Sequence, residues 1–281
     1  MSLDLERRFA IDDIDLAWDR WGPEEGTPLV LCHGYTGSSM DFGLQIPHLA
    51  AARGVMALDH RGHGLSTNTN DEADYDFDRL AVDLAAWLAA VAGGPVDLLG
   101  HSMGGRVVLQ VALDHPELVR SLVLMDTSAA QFSSDAATVE VMEGFLTAFD
   151  PTRGLPSLVY EGVGPEQDLI ESVVDAKFLA GRAERSAMMD PWAFRALGRQ
   201  LIAPDLVSLV PRLGELAMPV TVVAGSLDHP LVELAPEMAG AIPDAELVVI
   251  EGAYHSPQLT HPDEWRAALV AHLARAAAHP A

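Results

Sequence analysis

Residues 96–110 read VDLLGHSMGGRVVLQ, a short apolar run that passes into a serine hemmed by glycines and then straight into an apolar segment with helical spacing. Gly100-His101-Ser102-Met103-Gly104 fits the G-x-S-x-G turn that raises a serine between a strand and a helix. The glycines answer to space. A side chain just before or after the serine would strike the neighbouring strand or helix, and the serine itself sits in a strained turn. Gly105 adds clearance at the helix start. Such a turn has meaning only in a chain with a buried strand on one side and a helix packed back onto the sheet on the other.

The rest of the chain supplies that setting. Residues 5–20 read as short alternating strands with a turn near Asp12 and Asp13. The apolar segments LVLC at 29–32, GVMALD at 54–59, VDLLG at 96–100, SLVLMD at 121–126, MPVTVVAG at 218–225 and AELVVI at 245–250 have the length and composition of buried parallel strands. Helical periodicity lies between them, as in Leu80, Leu84, Trp87 and Leu88, and the segment between residues 32 and 54 is long enough for a crossover helix. Strand and helix in alternation predict a mostly parallel sheet covered by helices on both faces. The rhythm breaks from about 131 to 208, which is helical by pattern. The expected organisation is an α/β core from 1–130 and 209–281 with a helical cap inserted at 131–208.

Composition narrows the function classes. Lys and Arg total 17 against 41 Asp and Glu, a formal charge of −24, so the surface repels nucleic-acid phosphates and anionic membranes. Charges throughout the first twenty residues argue against a signal peptide or a membrane span, and cytoplasmic residence is the expectation. The one cysteine, Cys32, has no partner for an internal disulfide, and adjacent strand residues face opposite ways, so Cys32 and His33 do not read as a nucleophile pair.

A serine is a weak nucleophile until a histidine oriented by a carboxylate takes its proton. His255, in VVIEGAYHSPQL, follows the last strand by a short loop and is the candidate base. His101, His115 and His261 read as turn or helix-boundary residues. Two aspartates follow strand ends: Asp228 in VTVVAGSLDHP and Asp126 in LVLMDTS. Asp228 is preferred and Asp126 stays open as its competitor. Donors for a developing oxyanion are expected from the Met103 amide at the helix start and the Tyr35 amide in LCHGYTGSS.

Together HGYTGS, DHRGHGLS, GHSMGG, GSLDHP and GAYHSPQ resemble the α/β-hydrolase superfamily, in particular its capped serine hydrolases, over about residues 15–275. The resemblance implies an α/β-hydrolase fold with Ser102 as nucleophile, Asp228 as acid, His255 as base, and the Tyr35 and Met103 amides as oxyanion hole. It implies a structural loop near the sheet edge at Asp59 to Gly64, in place of the metal site its Asp/His spacing invites, and neither metal nor cofactor. The expected activity is hydrolysis of small to medium apolar carboxylic esters, with Tyr35, Phe145 and Trp192 shaping the pocket. Carbon-carbon bond hydrolysis or enol-lactonase activity is the alternative, and a non-enzymatic small-molecule receptor is a more distant one.

Overall fold

A computed structural model describes residues 5–132 and 135–279. Its sheet runs β1 (Arg7–Ile11), β2 (Ile14–Trp21), β3 (Leu29–Cys32), β4 (Val55–Leu58), β5 (Val96–His101), β6 (Val119–Met125), β7 (Val220–Gly225) and β8 (Ala245–Ile250). In space the order is β1-β2-β4-β3-β5-β6-β7-β8. β1 and β2 form an antiparallel hairpin through Asp12, which takes a positive φ of 50°, and β2 pairs antiparallel with β4. The remaining pairings are parallel.

The central strands are buried on both faces, as their continuous apolar runs require. Along β3, Val30 and Cys32 face one core with α1 (Phe77–Val91) and α2 (Met103–Asp114), while Leu29 and Leu31 face a second core with Phe42, Ile46 and Trp265. Between β3 and β4 the expected crossover helix is a single short turn of helix, Ile46–Ala50, preceded by a 3-10 turn at Ser39–Phe42. Burial pushes the Cys32 thiol up, which keeps it protonated and inert.

Between β6 and β7 the chain builds the inserted cap from α3 (Ala136–Ala148), α4 (Pro165–Val173), α5 (Ala176–Ser186) and α6 (Pro191–Ile202). Asp190 caps α6 by accepting the Trp192 N–H at 2.9 Å. Its other oxygen takes the Tyr75 hydroxyl at 2.6 Å and the Asn70 N–H at 2.8 Å, which fastens the cap to the loop after β4. Arg195 and Arg199 of α6 both reach Glu72, and Arg182 of α5 reaches Asp41 at 2.6 Å. After the cap, α7 (Leu231–Ala241) leads to β8 and α8 (Pro262–Ala278) closes the second face. Among the described residues no helix is long and apolar enough to cross a membrane.

Candidate active site

The site lies beyond the carboxyl ends of the parallel strands, where open α/β sheets gather their loops. Ser102 follows β5 with φ 55° and ψ −124°, a region that favours glycine, and it starts α2. A Cβ on Gly100 would lie 2.4 Å from the Gly104 carbonyl oxygen, and one on Gly104 would lie 2.3 Å from that of His33. On Gly105 it would lie 2.6 Å from the Thr127 side chain. Glycine at these positions is therefore the condition for strand, helix and the loop after β3 to meet. Thr127 pins the turn further by donating its hydroxyl to the Ser102 carbonyl at 2.7 Å.

His255 follows β8 and Asp228 follows β7, and their loops are stitched together. The Leu227 N–H donates to Ala253 at 2.8 Å and the Gly252 N–H donates to the Ser226 hydroxyl at 2.8 Å. A Cβ on Gly225 would sit 2.2 Å from the Tyr254 carbonyl oxygen, so this glycine lets the histidine loop close over the strand end. The result is a direct hydrogen bond from His255 Nδ1–H to Asp228 Oδ2 at 2.8 Å. Burial works against charge on the ring, but the hydrogen bond and charge of Asp228, with Asp126 and Glu166 behind it, raise the His255 pKa to about 9. Burial likewise opposes charge on Asp228, and its hydrogen bond to His255 leads the contributions that hold its carboxyl below the usual range.

His101, adjacent to Ser102, stacks against His255 with ring centroids 4.7 Å apart and donates its Nε2–H to the His255 carbonyl at 2.7 Å. Burial first, then the charge of His255, lowers its pKa to about 3, so His101 is a neutral tether between the serine turn and the histidine loop. Sequence reasoning treated it as a turn residue. The only signal for its second role was its place beside the serine. No hydrogen bond joins Ser102 Oγ to His255 among the described residues, and the serine turn meets the histidine loop through His101.

Asp126, offered as the competing acid, is also here. It is almost fully buried, takes a positive φ of 46° and accepts the Gly225 N–H at 2.8 Å. Its other oxygen, Oδ2, is buried without a hydrogen-bond partner among the described residues. The imidazole therefore meets Asp228, and Asp126 stands behind it.

The Tyr35 and Met103 N–H groups have no protein acceptor among the described residues. The Tyr35 ring stacks on Phe194 at 5.3 Å, and its hydroxyl donates to the Phe194 carbonyl, so the side chain docks the cap. His63 meets the Tyr35 carbonyl at 2.5 Å and holds the turn from below. Phe145 is 41% exposed in a cluster with Phe149 and Phe194, and Trp192 lies under the Arg195 guanidinium at 4.9 Å. A cavity of about 180 Å³ reaches His255 and is mostly polar, with Thr36, Tyr160, Glu166, Gln167 and Arg182 in its wall. Neither Phe145 nor Trp192 lines it.

The Asp59 to Gly64 loop follows β4, third strand from the β1 edge, so it is less peripheral than expected. Asp59 accepts the Ser39 and Leu65 N–H groups at 2.7 and 2.8 Å, which commits its carboxylate to folding that loop.

The chain is similar to known proteins. An acetyltransferase component of an acetoin cleaving system from Pseudomonas putida is 32% identical over 87% of this chain, and this chain spans 62% of that protein. A non-heme chloroperoxidase from Streptomyces lividans is 28% identical over 90% of this chain and 93% of its own length. Among solved structures, the enol-lactonase from Burkholderia xenovorans LB400 superposes with a TM-score of 0.79 at 20% identity, over 95% of this chain and all (100%) of that one. The family described as alpha/beta hydrolase fold matches residues 27–262, which takes in the loop after β3, the serine turn, the cap and the loops after β7 and β8, and the chain belongs to that family.

Proposed function

We propose that the protein is a serine hydrolase that cleaves carboxylic esters through an acyl-enzyme on Ser102, without cofactor or metal. The observation that carries this reading is the Asp228 to His255 hydrogen bond of 2.8 Å, in two loops stitched beside a glycine-cleared serine turn. In this mechanism neutral His255 takes the proton of Ser102 through Nε2 as Oγ attacks the ester carbonyl. The Tyr35 and Met103 amides receive the oxyanion. His255 then protonates the leaving alcohol, and a water activated by the same ring releases the acid. Asp228 keeps the proton on Nδ1 and stabilises the imidazolium that forms twice per cycle.

The cap, about residues 131–208, governs access and contributes no acid or base. Phe145, Trp192 and the Tyr35 ring, none of them in the wall of the polar cavity, are assigned to the apolar part of a small to medium ester. The polar cavity beside His255 takes the other part of the substrate, so a purely aliphatic ester fills only one side. That polar wall also favours the second reading, a lactone or vinylogous ketone with more oxygen atoms to satisfy.

Fluorophosphonate labelling followed by peptide mass spectrometry is expected to place the adduct on Ser102, and an adduct reproducibly found elsewhere overturns the assignment. Turnover of p-nitrophenyl esters beside enol-lactones and vinylogous diketones separates the readings. Activity on diketones or lactones with none on esters transfers the mechanism to the second class, and labelling without turnover of any of them points to a receptor.

A further inference from the structure

Two side chains of the cap share the wall of the polar cavity with His255: Glu166 of α4 and Arg182 of α5. Neither has a part in the steps assigned to Ser102, His255 and Asp228. Glu166 takes part in no side-chain hydrogen bond or ion pair among the described residues, and its Oε1 is shut off from water as well. A carboxylate oxygen left in that state costs free energy and calls for a donor. The neighbouring Gln167 does not supply one, because its amide nitrogen donates to Glu171 at 2.9 Å. The terminal carboxylate torsion is soft, so either oxygen can turn toward a donor that enters the cavity.

Arg182 is the opposite case, a donor held from behind. Its Nε donates to Asp41 at 2.6 Å, and Asp41 Oδ2 in turn accepts the Ser38 N–H at 3.3 Å, so the guanidinium is fixed against the core. No hydrogen bond among the described residues uses its two terminal nitrogens, and no ion pair closes between it and Glu166. One cavity of about 180 Å³ therefore offers an unmet acceptor from one helix and unspent donors from the next. A ligand carboxylate placed there faces Glu166, an ammonium faces Arg182, and an alkyl chain leaves both unpaired. A secondary amide answers both at once, since its N–H and C=O sit side by side without net charge.

We propose that this cavity takes the alcohol side of the ester and selects an alcohol bearing a secondary amide, whose N–H donates to Glu166 and whose carbonyl accepts from Arg182. This rests on the reading of the protein as an ester hydrolase with His255 as base. The alcohol side is assigned because the ring that protonates the leaving oxygen is itself part of the cavity wall. The bond that breaks is still the acyl C–O bond: water adds across it, the acid departs from Ser102 and the alcohol leaves with its amide intact. Glu166 and Arg182 act on the choice of substrate and not on the reacting carbonyl. A hydroxyl also donates and accepts, but from a single atom, and it is the second source of this chemistry that the test separates.

The test uses butanoate esters of four alcohols with one skeleton: N-(2-hydroxyethyl)acetamide, 5-hydroxypentan-2-one, pentane-1,4-diol esterified at its primary hydroxyl, and 4-methylpentan-1-ol. All four pass through the same butanoyl enzyme and the same His255, so ratios of kcat/KM report the alcohol side alone. The amide ester is expected to exceed the alkyl ester by about tenfold or more, with the ketone and the hydroxyl between them. Glu166→Leu is expected to erase the advantage of amide over ketone. Arg182→Lys, which keeps a cation for Asp41, is expected to shrink that of ketone over alkane. Circular dichroism checks folding, and Glu166→Ala or Arg182→Gln replaces a variant that does not fold. An alkyl ester as good as the amide in the wild type overturns the proposal, as do unchanged ratios in both variants. A hydroxyl ester better than the amide overturns it in favour of a polyol. Binding of the four free alcohols, followed by titration calorimetry, is expected to give the same order without turnover. That order with none of the esters hydrolysed defeats the ester reading and leaves the cavity assignment standing, whereas hydrolysis of all four without preference does the reverse.

Discussion

At the amino ends of the strands Ser121, His272 and Asp97 form a hydrogen-bonded trio of the same residue types as Ser102, His255 and Asp228 at the carboxyl ends. The bonds run differently. The Ser121 hydroxyl donates to Asp97 at 2.6 Å, and the imidazole bonds to Ser121 and Thr221, at 3.0 and 2.8 Å, with no bond to the acid. Asp97 is saturated by Arg120, at 2.9 and 2.6 Å, and by Arg53 at 2.5 Å. The two histidines accordingly move in opposite directions. Burial lowers His272 to about 4, with Asp97 pulling it up and Arg275, Arg120 and Arg53 pressing it down, whereas Asp228 lifts His255 to about 9 against its burial. A serine, a histidine and an aspartate in contact are therefore no sign of chemistry. Under the proposed mechanism, what matters is that the acid faces the imidazole, that no fixed cation quenches the acid, and that the serine is lifted into a strained turn at the strand end.

The widest separation between the two trios is expected from their serines. Ser102→Ala is expected to lower kcat by about ten-thousandfold or more with little change in melting temperature. Ser121→Ala is expected to leave kcat within about twofold and to cost about 1 kcal/mol of stability, the worth of a typical hydrogen bond. Equal kinetic effects from the two would erase the distinction. The acids follow in the opposite sense. Asp97→Ala leaves two half-buried guanidinium groups without their carboxylate, and denaturant unfolding is expected to register a loss of about 2–3 kcal/mol while the folded fraction turns over normally. Asp228→Asn is expected to keep the fold and lose turnover.

The pH dependence sharpens the contrast. His255 must be neutral to accept a proton, so kcat/KM is expected to rise with pH and reach half its limit near about 9. In Asp228→Asn the residual activity should reach its half-point closer to the ordinary histidine value of about 6.5. A wild-type profile already flat above pH 7 would contradict the lifted pKa. The smallest effect belongs to His272, which the folded state holds neutral. Its contribution to stability is present above an unfolded pKa of about 6.5 and is lost as pH falls from there toward about 4. Melting curves across that window should fall less steeply, by several degrees in total, for His272→Gln than for the wild type.

Local features were readable from the sequence because they depend on near neighbours. The glycines around Ser102 and the apolar strand runs report backbone crowding and double-sided burial, which leave a mark on adjacent residues. The question of Asp126 or Asp228 resisted because both follow strands that end side by side; only the β6 to β7 pairing brings both acids to Gly225. The tether from His101 to His255 spans 154 residues of sequence, and no periodicity announces such a contact. In the cap, helical spacing revealed that helices exist but not which face meets the core. Trp192 turned out to sit under Arg195, and Tyr35 to clasp Phe194.

The moorings of the cap carry a consequence for any attempt to exchange it. Cap arginines 182, 195 and 199 meet core acids 41 and 72, and Arg185 approaches Asp59 at 3.6 Å. In a chain with 17 basic and 41 acidic residues, four of the scarce positive charges are lodged on α5 and α6 against the core. At these contacts the cap supplies counter-ions to core acids as well as a cover. A core stripped of it would present Asp41 and Glu72 as uncompensated acids and would leave the Tyr75 hydroxyl and the Asn70 N–H without the Asp190 carboxylate that accepts from them. A graft from a relative would seat properly only if it brought arginines to the same places.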